Sequence, residues 1–341
     1  MRLIEKVWAG DSPAVRIARV LLTPLEVAFR GVVALRGGLY DSGIFRIRSS
    51  PISVVSIGNL TVGGTGKTPI AAWVASRLAA SGRRPAIILR GYGGDETLVH
   101  KVLNPSVPVL EATDRVSGIQ VAADAGADVA ILDDAFQHRR AARDLDIALI
   151  NADEWTPVVR LLPAGPYREP AQGLRRATLV IITRKTATDA RVDDAEKFVR
   201  RTAPTALVSV ARLELNELVQ VGSAERKLDT MVLREKRVLA IAAIGRPRAF
   251  FDQLKAVGAQ VVAMPFPDHH AFSRTEVMDI AAKSERFDYV VCTLKDAVKI
   301  GPQWPADAGP LWYVSLSVNV ERGEAAIGEI LSRLDGSRHT E

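Results

Sequence analysis

The chain has a single cysteine, Cys292, which lies in an apolar run. One cysteine excludes the class of small secreted proteins held together by disulfides, and it favours a location of the protein in the reducing cytosol. Aromatic residues make up only 6% of the chain, and none is interleaved with a basic strip. Because a dense block of lysine and arginine is missing as well, we predict no nucleic-acid binding.

Long uncharged apolar runs are also missing. The segment 12–39 is strongly apolar, but polar residues interrupt it at spacings of three and four: Arg16, Arg19, Thr23, Glu26 and Arg30. No stretch reaches the roughly 18–20 residues that a spanning helix needs, so we predict an amphipathic helix. Pro24 is predicted to kink or split this helix. The helix could pack on the protein's own sheet, or lie in a membrane interface with its arginines toward lipid phosphates.

The length and the charge of the chain indicate two domains and anionic partners. Its 341 residues are too many for one ordinary core, and no internal repeat or low-complexity tract is evident. The net charge of +6 favours a phosphorylated substrate or an acidic lipid as the partner.

A glycine-rich stretch between a predicted strand and a predicted helix is the strongest motif. Val54, Val55 and Ile57 predict a buried strand, and the periodic segment from Pro69 predicts a helix. This context is typical of a phosphate-binding loop, in which backbone N–H groups and a helix N-terminus surround phosphate oxygens. The predicted nucleotide-binding residues are Thr61, Val62, Gly63, Gly64, Thr65, Gly66, Lys67 and Thr68.

The residue types in this loop match the chemistry of a nucleoside triphosphate. Lys67 is expected to reach the β- and γ-phosphates, and the Thr68 hydroxyl is expected to bind Mg²⁺. Thr61 occupies the position of the first glycine in the strict Walker A pattern. Val62 stands where partition-type ATPases carry a signature lysine, so that class is disfavoured.

Carboxylates follow two other predicted strands. Asp133 and Asp134 end a buried strand downstream of the phosphate loop, the Walker B arrangement that positions Mg²⁺ directly or through water. Since adjacent strand residues face opposite ways, we expect only one of them to face the metal. Asp95 and Glu96 are predicted to lie in a glycine-containing loop after the strand 86–89. They either serve a ligand there or form a solvated acidic turn.

Two further loops carry chemistry-bearing side chains. The proline-rich loop 162–170 presents Arg168, suited to a phosphate, and Glu169, suited to a metal or hydroxyl. A plain surface turn is the alternative for this loop. His269 and His270 follow one another in the loop 266–272, where they are either structural or functional.

Taken together, these stretches resemble the tetraacyldisaccharide 4′-kinase family of the lipid A pathway over nearly the whole chain. The matching segments are 58–69, 90–92, 94–96, 131–139, 143–146, 163–170, 266–269 and 295–296. The resemblance implies transfer of the ATP γ-phosphoryl group to the 4′-hydroxyl of a tetraacyldisaccharide 1-phosphate, at the cytoplasmic face of the bacterial inner membrane. The family usually has a longer loop between the segments 90–92 and 94–96.

The resemblance also assigns roles to residues. It implies a catalytic pair of Asp95 and His269 acting with Lys67, and it makes Arg168 a phosphate contact. The implied metal ligands are Thr68, Asp133 or Asp134, Glu96 and Glu169. It further implies ATP and Mg²⁺ as cofactors, a lipid A precursor and the membrane surface as partners, and no obligate protein partner.

The sequence and the resemblance together predict an α/β protein. A P-loop NTPase-type parallel sheet domain is predicted at 41–205 and a smaller Rossmann-like α/β domain at 223–335. An extended β connector is predicted at 206–222 and a membrane-interfacial amphipathic helix within 1–40. Asp95 and His269 then fall in different domains, so we expect a closure motion to bring them together.

The competing function is a P-loop regulatory NTPase that acts on a protein partner. Such a GTPase needs an Asn-Lys-x-Asp reader of guanine. The nearest match, at residues 293–296, lacks the asparagine and falls in the predicted second domain. The sequence therefore favours the lipid kinase.

Overall fold

The computed structural model describes residues 7, 8, 10, 12–91 and 94–336. Tyr92 of the 90–92 motif and eight positions of the predicted 1–40 region (1–6, 9 and 11) lie outside these residues. The chain forms two compact units. The first comprises Met1–Gly91, Asn104–Arg212 and Val320–Glu341, and the second comprises Tyr92–Leu103 and Leu213–Asn319. The segment 92–103, which falls within the predicted P-loop domain, thus groups with the second unit.

The first unit is built on a parallel sheet in the order β3-β2-β4-β1-β5-β6-β7. The central strands are apolar on both faces and almost wholly buried, as parallel strands covered by helices on both sides require. The strands are β1 Ser53–Asn59, β2 Pro85–Leu89, β3 Val109–Glu111, β4 Val129–Asp133, β5 Leu145–Asn151, β6 Leu179–Arg184 and β7 Leu207–Gln220. This sheet confirms the predicted P-loop NTPase-type fold class.

Nine helices of the described chain connect and cover the strands. They are α1 Pro13–Asp41, α2 Lys67–Ala80, α3 Asp95–Leu103, α4 Arg115–Asp124, α5 Asp189–Thr202, α6 Pro247–Ala256, α7 Arg274–Ser284, α8 Leu294–Ile300 and α9 Glu324–Gly336. Some of these helices start at a capping side chain. The Asp114 side chain accepts the Val116 N–H at the start of α4, for example, and Ser273 and Glu276 form a reciprocal capping box on α7.

Helix α1 is one uninterrupted helix that contains Pro24, so of the two predicted effects of this proline, a kink or a split, the split does not occur. Its buried Glu26 accepts the Leu161 N–H at 2.8 Å and pairs with Arg30 and Arg160, which fastens the middle of the helix to the first unit. Within the described part of the chain, no helix combines the length and apolarity needed to cross a membrane.

In the second unit, the strands β10, β9, β11 and β12 lie side by side in that order and pair in parallel, and β7 follows β12 in the same sheet. The strands of this unit are β8 Ser223–Asp229, which pairs antiparallel with β7, β9 Arg237–Ala242, β10 Gln260–Pro265, β11 Tyr289–Thr293 and β12 Leu311–Arg322. Two apolar clusters lie on the faces of this sheet, one around Phe250 and Leu254 and one around Val277 and Ile280. The segment predicted as an extended β connector at 206–222 contains strand β7, which the boundary after Arg212 divides between the units.

Candidate active site

The phosphate loop lies between the carboxyl end of β1 and the start of α2 in the first unit. Gly66 precedes α2 with φ 83°, a left-handed conformation in which a side chain would be strained. The Lys67 ammonium folds over the loop, 3.3 Å from Asn59 Oδ1 and 3.4 Å from the Gly63 carbonyl. Thr68 is buried in the first turn of α2. The predicted strand, glycine loop and helix are therefore all present.

Neighbouring segments hold the loop in place through its own backbone. The Gly64 carbonyl accepts the Asn151 side-chain N–H at 3.3 Å, and the Thr65 carbonyl accepts the Thr183 hydroxyl at 2.9 Å. On the opposite side, the Val62 N–H donates to the Pro166 carbonyl at 2.8 Å. These bonds hold the loop against the neighbouring segments at Val62, Gly64 and Thr65.

The two aspartates after β4 have different surroundings. Asp133 is buried and lies beside Ile57 of β1 in the sheet register. Asp134 has φ 50°, a left-handed conformation that marks strain when it occurs outside glycine. Its carboxylate accepts two hydrogen bonds from Arg168 at 2.8 and 3.2 Å and lies 3.8 Å from Lys67 Nζ. Although burial alone would raise it, these two cations hold the pKa of Asp134 below its usual value.

Arg168 thus joins the proline-rich loop to the phosphate loop. Its guanidinium donates hydrogen bonds to the Asn59 side chain and to Asp134. The backbone N–H of Arg168 donates to the Leu60 carbonyl at 2.7 Å. A guanidinium in this position has enough N–H donors to bind a phosphate and a carboxylate at the same time. The predicted alternative, a plain surface turn, is disfavoured by these contacts.

The remaining predicted metal ligands are engaged elsewhere. Both carboxylate oxygens of the buried Glu169 accept hydrogen bonds, from Gln137 and from Arg176, each at 2.8 Å. Glu96 pairs with Lys295 at 2.9 Å in the second unit. Over the described ranges, no group of three or more His, Cys, Asp or Glu side chains is arranged to hold a metal ion. The Glu169 contacts favour a structural role for that residue.

Asp95 and His269 lie together in the second unit, and the expectation that they fall in different domains was wrong. Asp95 Oδ2 is 3.0 Å from His269 Nδ1, and the Asp95 side chain is only 4% exposed. Asp95 and Glu96 do not lie in a loop as predicted. They form the first turn of α3, where the helix dipole favours carboxylates. No closure between units is needed to form this pair.

The two neighbouring histidines have different roles in the fold. His269 has φ 58°, and its side chain is about half exposed. His270 stacks on Phe266, packs edge-on against Phe272 and lies 3.0 Å from Glu276, so its ring is fixed by structural contacts. The strained backbone and the contact with the buried carboxylate of Asp95 distinguish His269 as the functional candidate.

The sequence analysis missed two residues of the first unit. Asn59, the last residue of β1, contacts both Lys67 and Arg168. Arg115 is buried and donates to the Asp133 carbonyl at 3.4 Å, and its burial and the nearby Arg90 lower its pKa. Asn59 lies within the matching segment 58–69 but was assigned no role, and Arg115 lies outside all the matching segments.

We expect Arg168→Lys to lower kcat/KM for ATP roughly 10–100-fold, because lysine cannot make the forked contacts to Asp134 and Asn59. Steady-state kinetics at varied ATP concentration measures the effect. Arg175→Lys is the matched control, since that exposed arginine of the same region donates only to the Thr202 carbonyl in the structure. Equal kinetics for the two variants would refute a nucleotide-site role for Arg168.

A glycine loop, a cationic residue folded over it and a strand-end aspartate define a P-loop nucleotide-binding protein. The sequence model of the LpxK family, tetraacyldisaccharide-1-P 4′-kinase, matches residues 18–105 and 93–335. The chain belongs to this family.

Relatives and a solved structure agree with this assignment. A tetraacyldisaccharide 4′-kinase of Anaeromyxobacter sp. is 37% identical, over 98% of this chain and 100% of its own length. One from Azoarcus sp. is also 37% identical, over 97% of this chain and 95% of its own. The crystal structure of LpxK from Aquifex aeolicus in complex with ATP is similar with a TM-score of 0.73 and 27% identity, covering 93% of this chain and 99% of that one.

Proposed function

We propose that this protein is a lipid kinase that transfers the γ-phosphoryl group of ATP to the 4′-hydroxyl of a tetraacyldisaccharide 1-phosphate, the lipid A precursor. The observation that carries the proposal is an intact phosphate loop and Walker B aspartate pair in a chain that also holds the Asp95–His269 contact. Family membership supports the same reaction over the regulatory NTPase alternative.

The proposed reaction divides between binding and proton transfer. The loop N–H groups and Lys67 hold the β- and γ-phosphates and neutralise the charge that develops on them. As the 4′-oxygen attacks the γ-phosphorus, its proton passes to the Asp95 carboxylate, and the bond to the β–γ bridging oxygen breaks to release ADP. His269 orients that carboxylate through the 3.0 Å contact.

The residues at the phosphate loop fit a Mg²⁺ ion bound with the nucleotide. Thr68 and Asp133 or Asp134 offer hydroxyl and carboxylate oxygens, which are hard ligands of the kind that Mg²⁺ prefers, and substrate phosphates commonly complete its shell. When bound, the ion would neutralise charge on the β- and γ-phosphate oxygens. We propose Thr68 and one of the two aspartates as its protein ligands.

Helix α1 supports a proposed site of action at the membrane surface. Large apolar side chains on it are more than half exposed: Ile17, Val20, Leu21, Leu25, Val32 and Leu35. At 100° per residue they fall on the side opposite the buried Glu26, which faces the first unit. A helix with such a stripe suits the interfacial layer of a bilayer. We propose that it docks the enzyme on the cytoplasmic face of the inner membrane, where the lipid substrate lies.

Replacing two residues of this stripe should weaken membrane binding. We expect Leu21→Gln with Leu25→Gln to lower affinity for anionic vesicles roughly tenfold or more, because each buried leucine contributes about 1.5–3 kcal/mol. Vesicle co-sedimentation measures the effect. Val121→Gln with Val262→Gln is the control, since those side chains are also about half exposed but lie elsewhere. Unchanged binding of the leucine variant would refute the role of α1.

The kinase and the regulatory NTPase predict different fates for the γ-phosphate. Purified protein is mixed with Mg²⁺, γ-labelled ATP and the tetraacyl disaccharide 1-phosphate in detergent micelles, and label in lipid and in free phosphate is counted. The lipid kinase predicts label in the lipid that depends on added acceptor. Label found only in free phosphate would contradict the proposal and support the NTPase.

A further inference from the structure

A lysine on helix α8 of the second unit lies between two carboxylates. Lys299 Nζ is 4.0 Å from Asp95 Oδ2 and 3.6 Å from Asp296 Oδ1. Its side chain is only 17% exposed, and its ammonium lies 5.7 Å from the centroid of the Phe272 ring. Withdrawing an ammonium from water is costly unless carboxylates compensate for it, and these two acids lie close enough to do so.

Asp296 also makes hydrogen bonds in this region. It is fully buried, and its Oδ2 accepts the Thr293 hydroxyl at 2.6 Å and the Ala243 N–H at 3.1 Å. The Ala243 carbonyl in turn accepts the His269 N–H at 3.2 Å. One carboxylate therefore fixes Lys299 directly, and through Ala243 it also fixes the strained backbone of His269.

The contacts on Asp95 are unevenly divided between its two oxygens. Oδ2 lies within hydrogen-bond distance of His269 Nδ1, at 3.0 Å, and forms a longer ion pair with Lys299 Nζ, at 4.0 Å. The buried Oδ1 has no hydrogen-bond partner among the described residues. A buried oxygen without a partner at a functional site is a site where a substrate group can bind.

We propose that Lys299, held by Asp296, is a positioning residue that fixes the Asp95 carboxylate through Oδ2 and leaves Oδ1 to accept the proton of the attacking hydroxyl. The proposal rests on the kinase function proposed above. Lys299 acts through Asp95 and does not touch the substrate.

Neutralising this lysine should slow the chemical step and spare nucleotide binding. Lys299→Met keeps the length of the stem and removes the charge, so Asp95 is free to rotate away from its productive orientation. A displacement of about 1 Å can cost about 10²-fold, so we expect kcat to fall roughly 10–100-fold while KM for ATP changes less than about twofold. Lys299→Arg, which restores the cation, should recover most of the loss. Lys283→Met, an exposed lysine at the end of α7, is the control and should keep the wild-type kcat.

A double-mutant cycle separates positioning from a structural role. If Lys299 acts through Asp95, then Lys299→Met should lower kcat less than about threefold in an Asp95→Asn background. An equal loss in both backgrounds, or a change in KM alone, would overturn the proposal. Circular dichroism checks that the variants fold. If Lys299→Met does not fold, Lys299→Gln replaces it in the same measurements.

The wild-type enzyme, measured in the same assay, distinguishes failure of the proposed role of Lys299 from failure of the proposed kinase function. A wild-type protein that phosphorylates no lipid contradicts the proposed kinase function. A wild-type protein that does so, together with a fully active Lys299→Met variant, overturns only the positioning role.

Discussion

Lys67→Ala is expected to lower phosphoryl transfer roughly 10³-fold or more. The Lys67 ammonium folds over the phosphate loop against Asn59 and Gly63 and lies 3.8 Å from Asp134. In that place it neutralises charge that grows on the γ-phosphate in the transition state, and losing one such group from a preorganised site typically costs 10²–10⁵-fold. Single-turnover transfer from labelled ATP measures the loss.

The control for this variant is Lys197→Ala, on the surface of α5 in the same unit, where the lysine is 72% exposed and pairs only with Asp194 in the structure. Lys67→Met serves as a second variant that keeps the volume of the stem, with thermal unfolding as the check on folding. Near-normal turnover in folded Lys67 variants would mean that the loop does not hold the transferred phosphate.

Asp95→Asn is expected to lower kcat roughly 10²–10⁴-fold, the usual range for loss of a positioned general base. Asparagine keeps the size of the side chain and can still bond His269, but it cannot take up the hydroxyl proton. Because Asp95 is proposed to act on the acceptor hydroxyl and not to hold the nucleotide, KM for ATP should change little. Steady-state kinetics with both substrates varied measures the split.

Asp279→Asn, an exposed aspartate on α7, is the matched control for Asp95→Asn. A variant with normal kcat but much weaker binding of ATP or lipid would show that Asp95 binds substrate and is not the base. Asp95→Ala gives the same comparison with the carboxylate removed entirely.

The phosphate loop and the Walker B aspartates could be predicted from the sequence because each is a local pattern. A buried apolar strand, a glycine loop and a periodic helix follow one another in the chain, and the chemistry depends on that order. The parallel sheet could be predicted for the same reason, since strands that are apolar on both faces require cover on both sides.

The arrangement of the second unit could not be predicted in the same way. Asp95 and His269 are 174 residues apart, and the segment that carries Asp95 looks, in the sequence, like a continuation of the first domain. Only the packing of α3 with the later part of the chain places the two side chains together. Lys299 carries no motif signal, because its role depends on the two carboxylates that the fold brings beside it.

Side-chain partners also explain the predictions that the structure altered. Glu169 has a residue type suited to metal, but Gln137 and Arg176 already occupy both of its oxygens. Pro24 has the residue type of a helix breaker, but α1 continues through it, with its neighbour Glu26 bonded to Leu161 and Arg160. Residue type sets what a side chain can do, and its neighbours decide whether that capacity is used.

The most direct test of the central claim is the chemical structure of the product. The wild-type protein and Lys67→Ala are each incubated with Mg-ATP and the tetraacyl disaccharide 1-phosphate, and the lipid is analysed by fragmentation mass spectrometry. The account predicts that the wild type adds one phosphate to the distal sugar, at its 4′-oxygen, and that Lys67→Ala adds almost none. An unmodified lipid, or a phosphate on any other position, would contradict it.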